Sequence, residues 1–254
     1  MIFDSHAHYD DEQFGEDRYE LLNKIYNSGV TKILNAASCL ESSKTCIELS
    51  ENYSFIYASV GVHPHAADSL DEDGIDLIRK YAANNKVVAI GEIGLDYYYD
   101  NSPRDIQKKW FERQLELSVE LGLPVIIHDR DAHGDVLEIL KRHPKAIGVM
   151  HCFSGSREMA EELVKMGYYI SFSGSVTFKN ARKIVEAASV VPDNRILVET
   201  DCPYLAPVPN RGQRNSSLFI PDTIRQLSAI RGMSFDELCD ITYNNACTLF
   251  KITD

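Results

Sequence analysis

The 254-residue sequence contains no long apolar run, no internal repeat and no low-complexity tract. A membrane-spanning helix needs about 18 to 20 consecutive apolar residues, so the missing run argues against a membrane protein of the helical class. The first six residues, MIFDSH, form neither a basic nor an apolar targeting segment, and we therefore expect a cytoplasmic protein. No glycine-, proline- or serine-rich linker interrupts the chain, which favours a single domain over residues 1–254.

Closely spaced cysteine pairs are also missing. The six cysteines lie at wide, irregular intervals without a C-x-x-C motif: Cys39, Cys46, Cys152, Cys202, Cys239 and Cys247. A chain of this size does not need disulfides to supplement its core, and cytoplasmic proteins keep their thiols reduced. We therefore expect reduced thiols.

Basic residues are the third shortage. The chain has 26 Lys and Arg against 38 Asp and Glu, a net charge of −12, with 44% hydrophobic and 25% charged residues. This composition is that of a soluble globular protein. It argues against nucleic-acid binding through a general basic surface, because such binding depends on many Lys and Arg contacts to phosphates. A polyanionic substrate would require a local reversal of the field.

Short apolar segments alternate with longer helical ones along the whole chain. β-Branched and apolar residues predict strands at 2–6, 32–36, 56–63, 87–92, 124–128, 147–151, 168–172 and 196–201. Helical periodicity predicts helices at 17–27, 40–51, 71–83, 103–121, 135–142, 157–166, 180–188, 220–230 and 235–250. Eight alternations in about 250 residues predict an α/β fold, a single-domain (β/α)8 TIM barrel. An open doubly wound sheet would need a glycine-rich phosphate loop after the first strand, where this chain reads SHAH.

Helix boundaries carry their own signals. Ser102 before Pro103, and Ser156 before the helix at 157–166, predict N-caps. Gly122 follows the helix at 103–121 and predicts a left-handed residue that ends it.

Histidines and carboxylates recur at the carboxyl ends of six predicted strands: His6 with His8, His63, Glu92, His128, His151 and Asp201. In a TIM barrel these strand ends meet at one rim, where catalytic groups converge. Imidazoles and carboxylates are ligands for divalent metals. The pattern therefore predicts a metal site at the C-terminal rim.

One group of ligands is expected around the first strand. His6 and His8 are two residues apart, so on extended backbone both imidazoles face one side and can bind one ion. Asp4 has the same parity and is expected to orient a ligand histidine. Asp201 would touch the same ion and accept a proton from its water.

A second group is expected around Glu92. This carboxylate is flanked by glycines in the segment GEIGLD, so it can approach and bridge two ions. His128 and His151 close apolar strands and would complete a second N/O site beside it. His63 is expected to donate a hydrogen bond to a substrate oxygen, with a purely structural role as the alternative.

The residues next to these candidate ligands are not expected to bind metal. Cys152 and Cys202 each follow a candidate ligand. Because adjacent strand residues face opposite ways, both thiols should pack away from the ligands. The tyrosines at 97–99 fit a stacking platform for nucleobases or a packed loop equally well.

Taken together, the motifs resemble the TatD family of metal-dependent deoxyribonucleases, in the amidohydrolase superfamily. They occur in order over essentially the whole chain, as DSHAH at 4–8, GVHP at 61–64, GEIGLDY at 91–97, PVIIH at 124–128, HCFSG at 151–155 and ETDCPYL at 199–205. The resemblance implies one divalent ion on His6, His8, Glu92 and Asp201, and a second on Glu92, His128 and His151. It also implies that His63 and Arg130 lie at the substrate phosphate.

Two positions depart from the family pattern. Asp129 precedes Arg130 where the family often has Ser-Arg. The loop at 214–217 reads RNSS where the family commonly has Arg-Asn-Glu-Pro. The second departure leaves the metal ligands intact but affects the contacts that this loop makes with substrate.

The expected reaction is hydrolysis of phosphodiesters in single-stranded or frayed DNA, as a 3′-5′ exonuclease, by water that two divalent ions (Zn, Mg or Mn) activate. The expected catalytic residues are Asp201, as general base, Glu92 and His63. His63, Arg130, Arg214 and Tyr97 are expected to contact the substrate. We expect a monomer that binds DNA and needs neither a protein partner nor a membrane.

Two other functions are compatible with the same pattern. One is an amidohydrolase acting on a small amide, ester or phosphoester; many such barrels bridge their metals with a carboxylated lysine on strand four, where this chain has Glu92 and places Lys86 before the strand. The other is a catalytically inactive metal-binding barrel, against which the complete ligand set argues.

Overall fold

The protein, examined as a computed structural model that describes residues 1–253, forms one sheet of eight parallel strands in the order β1 to β8. The strands are β1 Ile2–Ala7, β2 Val30–Asn35, β3 Ile56–Val60, β4 Val87–Asp96, β5 Val125–Arg130, β6 Gly148–Met150, β7 Tyr169–Phe172 and β8 Ile196–Val198. A parallel bridge between Ala7 and Cys202 joins β1 to the segment after β8. This contact closes the sheet into a barrel.

Helices follow the strands in chain order. They are α1 Arg18–Asn27, α2 Leu40–Asn52, α3 Glu72–Tyr81, α4 Arg104–Leu121, α5 His133–Arg142, α6 Arg157–Lys165, α7 Arg182–Ala188, α8 Ile220–Arg231 and α9 Phe235–Leu249. The (β/α)8 barrel predicted from the hydrophobic pattern is therefore confirmed. Within the described residues, no helix is long and apolar enough to cross a membrane.

Alternation along the strands separates two apolar layers, because neighbouring side chains point to opposite faces. Side chains such as Ile127 and Met150 pack in the cluster that contains the helices. Their neighbours Ile126 and Val149 belong to a second buried cluster that fills the barrel, together with Phe3, Leu34 and Leu197. Fully burying one such side chain contributes about 1.5 to 3 kcal/mol, so these two layers supply most of the favourable free energy of folding.

The same alternation aims polar side chains into the mouth of the barrel. Three of them lie two residues beyond an interior side chain and share its direction: His128 after Ile126, His151 after Val149 and Glu199 after Leu197. In β1 the pairing with β2 shifts register between Asp4 and Ala7. The parity of Asp4 therefore does not extend to the histidines that follow.

Two of the three predicted helix boundaries have the expected geometry. The Ser156 side chain accepts a hydrogen bond from the amide three residues later, and Gly122 ends α4 with a φ of 65°. The cap expected from Ser102 is wrong. Pro103 occupies the N-cap position, while the buried Ser102 hydroxyl donates to the carbonyl of His65 instead. Ser102 thus stabilises the loop after β3 rather than α4.

A substitution at Gly94 tests how closely β4 and β5 approach each other at the mouth of the barrel. It pairs with His128 of β5, has a φ of 144°, and a Cβ there would lie 2.0 Å from the His128 carbonyl oxygen. We expect Gly94→Ala to lower the free energy of unfolding by about 2 to 5 kcal/mol, through both the clash and the backbone strain.

The matched control is Gly134→Ala in α5, because nothing lies within 4 Å of a Cβ at that position. Its effect should stay within about 1 kcal/mol. Urea-induced unfolding measures the free energy of unfolding of both variants. Equal free energies of unfolding for Gly94→Ala and the wild type would contradict the close approach of the two strands.

Candidate metal centre

The carboxyl ends of the strands surround a cavity of about 1010 Å³. Its wall includes six of the seven predicted rim residues: His8, His63, Glu92, His128, His151 and Asp201. His6, the seventh, is fully buried, and its Nε2 atom lies 3.4 Å from Glu92 Oε2. The fold thus brings together side chains from β1, β4 and β5 and from the segments after β1, β3, β6 and β8.

Glu92 lies between two groups of imidazoles. Its Oε1 atom is 2.8 Å from His128 Nδ1 and 2.7 Å from His151 Nε2. Its Oε2 atom is 3.4 Å from His6 Nε2 and 3.6 Å from His8 Nε2. Each carboxylate oxygen therefore faces a different pair of ring nitrogens, which is the arrangement that a bridging ligand requires.

The first group contains His6, His8 and Asp201. The Nε2 atoms of the two histidines are 3.0 Å apart, and Asp201 Oδ1 lies 3.4 Å from that of His8. His8 Nδ1 lies 2.8 Å from the carbonyl oxygen of Ala36, to which it donates. With the proton on Nδ1, the lone pair on Nε2 points towards Glu92 and Asp201 and can bind a cation.

The second group contains His128 and His151, each backed by a carboxylate. His128 Nδ1 is 3.2 Å from His151 Nε2. Asp96 Oδ2 lies 3.2 Å from His128 Nε2, and Glu199 Oε1 lies 3.4 Å from His151 Nδ1. A carboxylate behind a ligand imidazole fixes its tautomer and raises its basicity. Both histidines thus direct their other nitrogen towards Glu92.

Asp96 and Glu199 are carboxylates of the site that the sequence interpretation missed. The Glu199 carboxylate also accepts a hydrogen bond from the amide of Cys152 at 2.7 Å, and both acids are fully buried. A usable signal was present, since each is a carboxylate inside a ligand motif, GEIGLD or ETD.

His63 and His65 occupy the β3 side of the cavity. His63 Nε2 lies 3.6 Å from Glu92 Oε1, and its Nδ1 accepts a hydrogen bond from the amide of His65 at 3.1 Å. His65, also missed from the sequence, lies with Nε2 2.8 Å from Asp96 Oδ2. Asp96 therefore contacts both His65 and His128.

The electrostatics of the site follow from burial and mutual charge. Burial opposes ionisation of Glu92, but the surrounding imidazoles, His151 first, outweigh it and hold the pKa of this carboxyl well below its usual range. Burial also acts against ionisation of Asp201, yet its hydrogen bond with His8 lowers the pKa. Burial lowers the pKa of His6. Burial likewise opposes protonation of His8, His128 and His151, but the neighbouring carboxylates outweigh it, raising the pKa of His8 to about 9 and those of His128 and His151 above the usual value. Metals bind ionised carboxylates and neutral imidazoles, so metal binding would release protons from these rings.

These donor atoms fit a divalent metal. Three sets of side chains in residues 1–253 hold their ligand atoms within 4.8 Å of one another, and two of the sets share Glu92. The Nε2 atoms of His6 and His8 face each other at 3.0 Å, and a shared cation would stabilise this contact. Mixed imidazole and carboxylate ligands suit Zn and Mn, and carboxylates also suit Mg. No cysteine belongs to these sets.

Neither of the cysteines beside the ligands lines the cavity. The half-buried Cys152 has its Sγ atom 3.1 Å from Ser173 Oγ, and Cys202 is fully buried. The expectation of reduced thiols agrees with the structure at five positions, which hold free cysteines: Cys39, Cys46, Cys152, Cys202 and Cys239.

The role expected for Asp4 is wrong. Its carboxylate accepts hydrogen bonds from the Thr200 amide at 2.9 Å, the Thr200 hydroxyl at 2.6 Å and the Ser217 hydroxyl at 2.6 Å, and it touches no ligand imidazole. Burial raises its pKa to about 7, although these hydrogen bonds act in the opposite direction. The register shift after Asp4 explains the difference. Asp4 instead fixes the backbone next to Asp201.

Two residues expected at the substrate lie elsewhere. Arg214 is not part of the cavity wall, because its guanidinium forms an ion pair with Asp17 and donates to the carbonyl of Gln13. Tyr97 also lies outside this cavity, with its hydroxyl donating to Asp135. The sequence-based placement of both side chains is therefore corrected.

Arg130 and Tyr99 do line the cavity. The Arg130 guanidinium lies 4.1 Å from the ring centre of Tyr98 and 4.8 Å from that of Tyr99. Both rings are more than half exposed. The tyrosine segment is thus neither fully packed nor a single platform, because its first ring faces Asp135 and the other two support Arg130.

Fold and site together define a barrel hydrolase that depends on a metal. Comparison with known proteins places it more closely: the model of the family described as TatD related DNase matches residues 3–251. The chain belongs to the TatD family, and the resemblance drawn from its motifs is confirmed.

Its relatives are similar over their full length. The chain is 44% identical to the uncharacterized metal-dependent hydrolase YabD of Bacillus subtilis, over 99% of this chain and 100% of that protein. It is 34% identical to the 3′-5′ ssDNA/RNA exonuclease TatD of Pantoea vagans, with 99% and 100% covered. The crystal structure of YjjV, a TatD homologue of Escherichia coli, superposes with a TM-score of 0.93 at 32% identity, over 99% and 98% of the two chains.

The Asp96 carboxylate should support metal binding through His128. We expect Asp96→Asn to weaken metal affinity about 10- to 100-fold, because the amide is a weaker acceptor and leaves the imidazole less basic and less fixed. Competition with a chromophoric chelator measures the affinity. Asp76→Asn is the matched control, since the Asp76 side chain is 77% exposed on α3. Equal metal affinities of the two variants would contradict the role of Asp96 in metal binding.

Proposed function

We propose that this metal-dependent hydrolase is a deoxyribonuclease that removes nucleotides from the 3′ ends of single-stranded DNA, using two divalent cations. One observation carries the proposal: the two oxygens of Glu92 face separate pairs of imidazoles, at 2.7 and 2.8 Å on one side and 3.4 and 3.6 Å on the other. The exonuclease activity named for a relative 34% identical to this chain supports the same choice of substrate.

The six ligand side chains divide into two sets that share Glu92. His6, His8 and Asp201 would hold one cation, and His128 and His151 the other. When bound, such a pair supplies an activated water and stabilises the charge that develops on the phosphate.

Asp201 is the carboxylate best placed to accept a proton. Its side chain is 14% exposed, whereas that of Glu92 is 4% exposed and is surrounded by imidazoles. Of the two ligand carboxylates, Asp201 is therefore the more accessible to water in the cavity. A carboxylate within reach of the attacking water has the geometry of a general base.

His63 and Arg130 contribute the substrate contacts. Both line the cavity, on the β3 and β5 sides of Glu92. Burial and the neighbouring His128 lower the pKa of His63 well below its usual range, which favours a neutral ring that donates one hydrogen bond to a phosphate oxygen. Arg130 offers a planar fork that matches phosphate geometry. All these groups come from one chain, which supports action as a monomer.

Metal stoichiometry tests the bridging role of Glu92. We expect two bound metal ions per wild-type chain and a strong loss in Glu92→Gln, because the amide cannot serve both sites. Elemental analysis gives the count. Added Mn²⁺ at about 100 times its Kd should stabilise the wild type by about 2.7 kcal/mol per site and the variant far less.

Glu161→Gln provides the control for a lost surface carboxylate, since Glu161 pairs with Arg157 on α6. Its metal content should equal that of the wild type. Two ions in Glu92→Gln would overturn the bridging assignment.

Cleavage of DNA tests the reaction itself. With Mn²⁺, Zn²⁺ or Mg²⁺, we expect a 5′-labelled single-stranded oligonucleotide to shorten stepwise from its 3′ end, and blunt duplex to react more slowly. Asp201→Asn should lower kcat by at least about 100-fold, because a proton acceptor is lost.

A panel of small amides and esters separates this proposal from other barrel hydrolases. Turnover of an amide or ester without cleavage of DNA would favour a small-molecule hydrolase. Full metal content without turnover of any substrate would favour an inactive barrel.

A further inference from the structure

Nearly all arginines of the described chain are engaged with protein oxygens. Apart from Arg130 and Arg211, each one donates a hydrogen bond or forms an ion pair, as Arg214 does with Asp17. Such pairing is expected in a chain with 38 acidic and 26 basic residues. The two exceptions both line the cavity that contains Glu92.

Arg211 has an aromatic contact in place of a carboxylate. Its guanidinium lies 4.3 Å from the ring centre of Phe178, and it forms no ion pair within residues 1–253. The residue is exposed, in the loop between β8 and α8. Arg130 has the same kind of contact, with Tyr98 and Tyr99.

The order of the barrel separates the two arginines. Arg130 ends β5, whereas Arg211 and Phe178 lie in the loops after β8 and β7. His151, which follows β6, comes between them in the order of the strands. A chain of phosphates that passes the candidate metal ligands can therefore meet one guanidinium on each side.

Stacking on a ring holds a guanidinium without neutralising it. The aromatic face attracts the cation and restricts its plane, while the N–H groups at the edge keep their capacity to donate. An arginine paired with a carboxylate has its charge neutralised locally and at least one of its five N–H donors engaged. A stacked arginine is thus ready to bind phosphate in a bidentate manner.

We propose that Arg211, supported by Phe178, is a second phosphate-binding residue, which binds a backbone phosphate other than the one that is cleaved. The assignment rests on the proposed nuclease function and specifies it, because it makes the enzyme selective for oligonucleotides over isolated phosphodiesters. Arg211 thus takes the place of Arg214, which the sequence suggested as a substrate contact.

Two substrates separate Arg211 from the reaction centre. Bis(4-nitrophenyl) phosphate has one phosphodiester and no neighbouring phosphate, whereas a thymidine tetranucleotide has three. We expect Arg211→Ala to lower kcat/KM on the tetranucleotide about 10- to 100-fold, the value of a charge-assisted contact, and mainly through KM. The loss on bis(4-nitrophenyl) phosphate should be at least tenfold smaller.

Two further variants distinguish this role from a general charge effect. Arg182→Ala removes the same charge from α7, where the side chain is 89% exposed and pairs with Glu186, and it should behave as the wild type on the tetranucleotide. Phe178→Leu keeps the charge of Arg211 but removes the ring beneath it. We expect a smaller loss of about two- to fivefold.

Binding without turnover gives an independent readout. A fluorescein-labelled oligothymidylate is titrated by anisotropy in EDTA over a range of NaCl concentrations. Each phosphate contact to a single strand contributes about 0.7 to the slope of log K against log salt, so Arg211→Ala should reduce that slope by about 0.7. Arg182→Ala should leave the slope unchanged.

The outcomes separate the two proposals. Equal losses on both substrates, or an unchanged tetranucleotide KM and salt slope in Arg211→Ala, would overturn the role of Arg211 while the nuclease function remains. If the wild type hydrolyses neither phosphodiester with any of the three metals, the nuclease proposal fails, and the assignment of Arg211 fails with it.

Discussion

The contacts of the Glu92 carboxylate with imidazoles on both sides are the constraint on which the site depends. A buried carboxylate is costly unless cations or hydrogen-bond donors surround it. Glu92 is 3% exposed, and ring nitrogens approach each of its oxygens. The close packing of β4 makes this possible: a Cβ at Gly91 would lie 2.7 Å from Ile126 Cβ, and one at Gly94 would lie 2.0 Å from the His128 carbonyl oxygen.

Closure of the barrel places the other half of the ligand set. β1 meets the segment after β8 through the bridge of Ala7 with Cys202 and through the hydrogen bond from the Asp201 amide to the His6 carbonyl, at 3.0 Å. Asp4 strengthens this junction by binding Thr200 and Ser217. Ligands from opposite ends of the sequence thus become neighbours. Ser217 lies where the family commonly has other residues, and it stabilises the junction without touching the cavity.

Sequence patterns predicted the barrel and the rim residues well because both depend on periodicity. Alternation in β5 and β6 continues without interruption to His128 and His151, so their direction could be inferred. The failures occur where periodicity ends. The register shift in β1 redirected Asp4, and loop conformation decides which neighbour a long side chain meets, as with Arg214 and Tyr97. The GEIGLD motif marks Asp96 as a candidate, but its contacts with His65 and His128 cross strands, and a single sequence does not specify them.

The acidic balance of the chain determines how an anionic substrate can be bound. Carboxylates neutralise most arginines at the surface, so little long-range attraction for a polyanion remains. Positive charge persists where aromatic rings replace carboxylates as partners, at Arg130 and Arg211. Both positions lie at the mouth, beside ligands that would carry divalent cations. A net charge of −12 is therefore compatible with a nucleic-acid substrate that is held locally, at its end, rather than along a duplex.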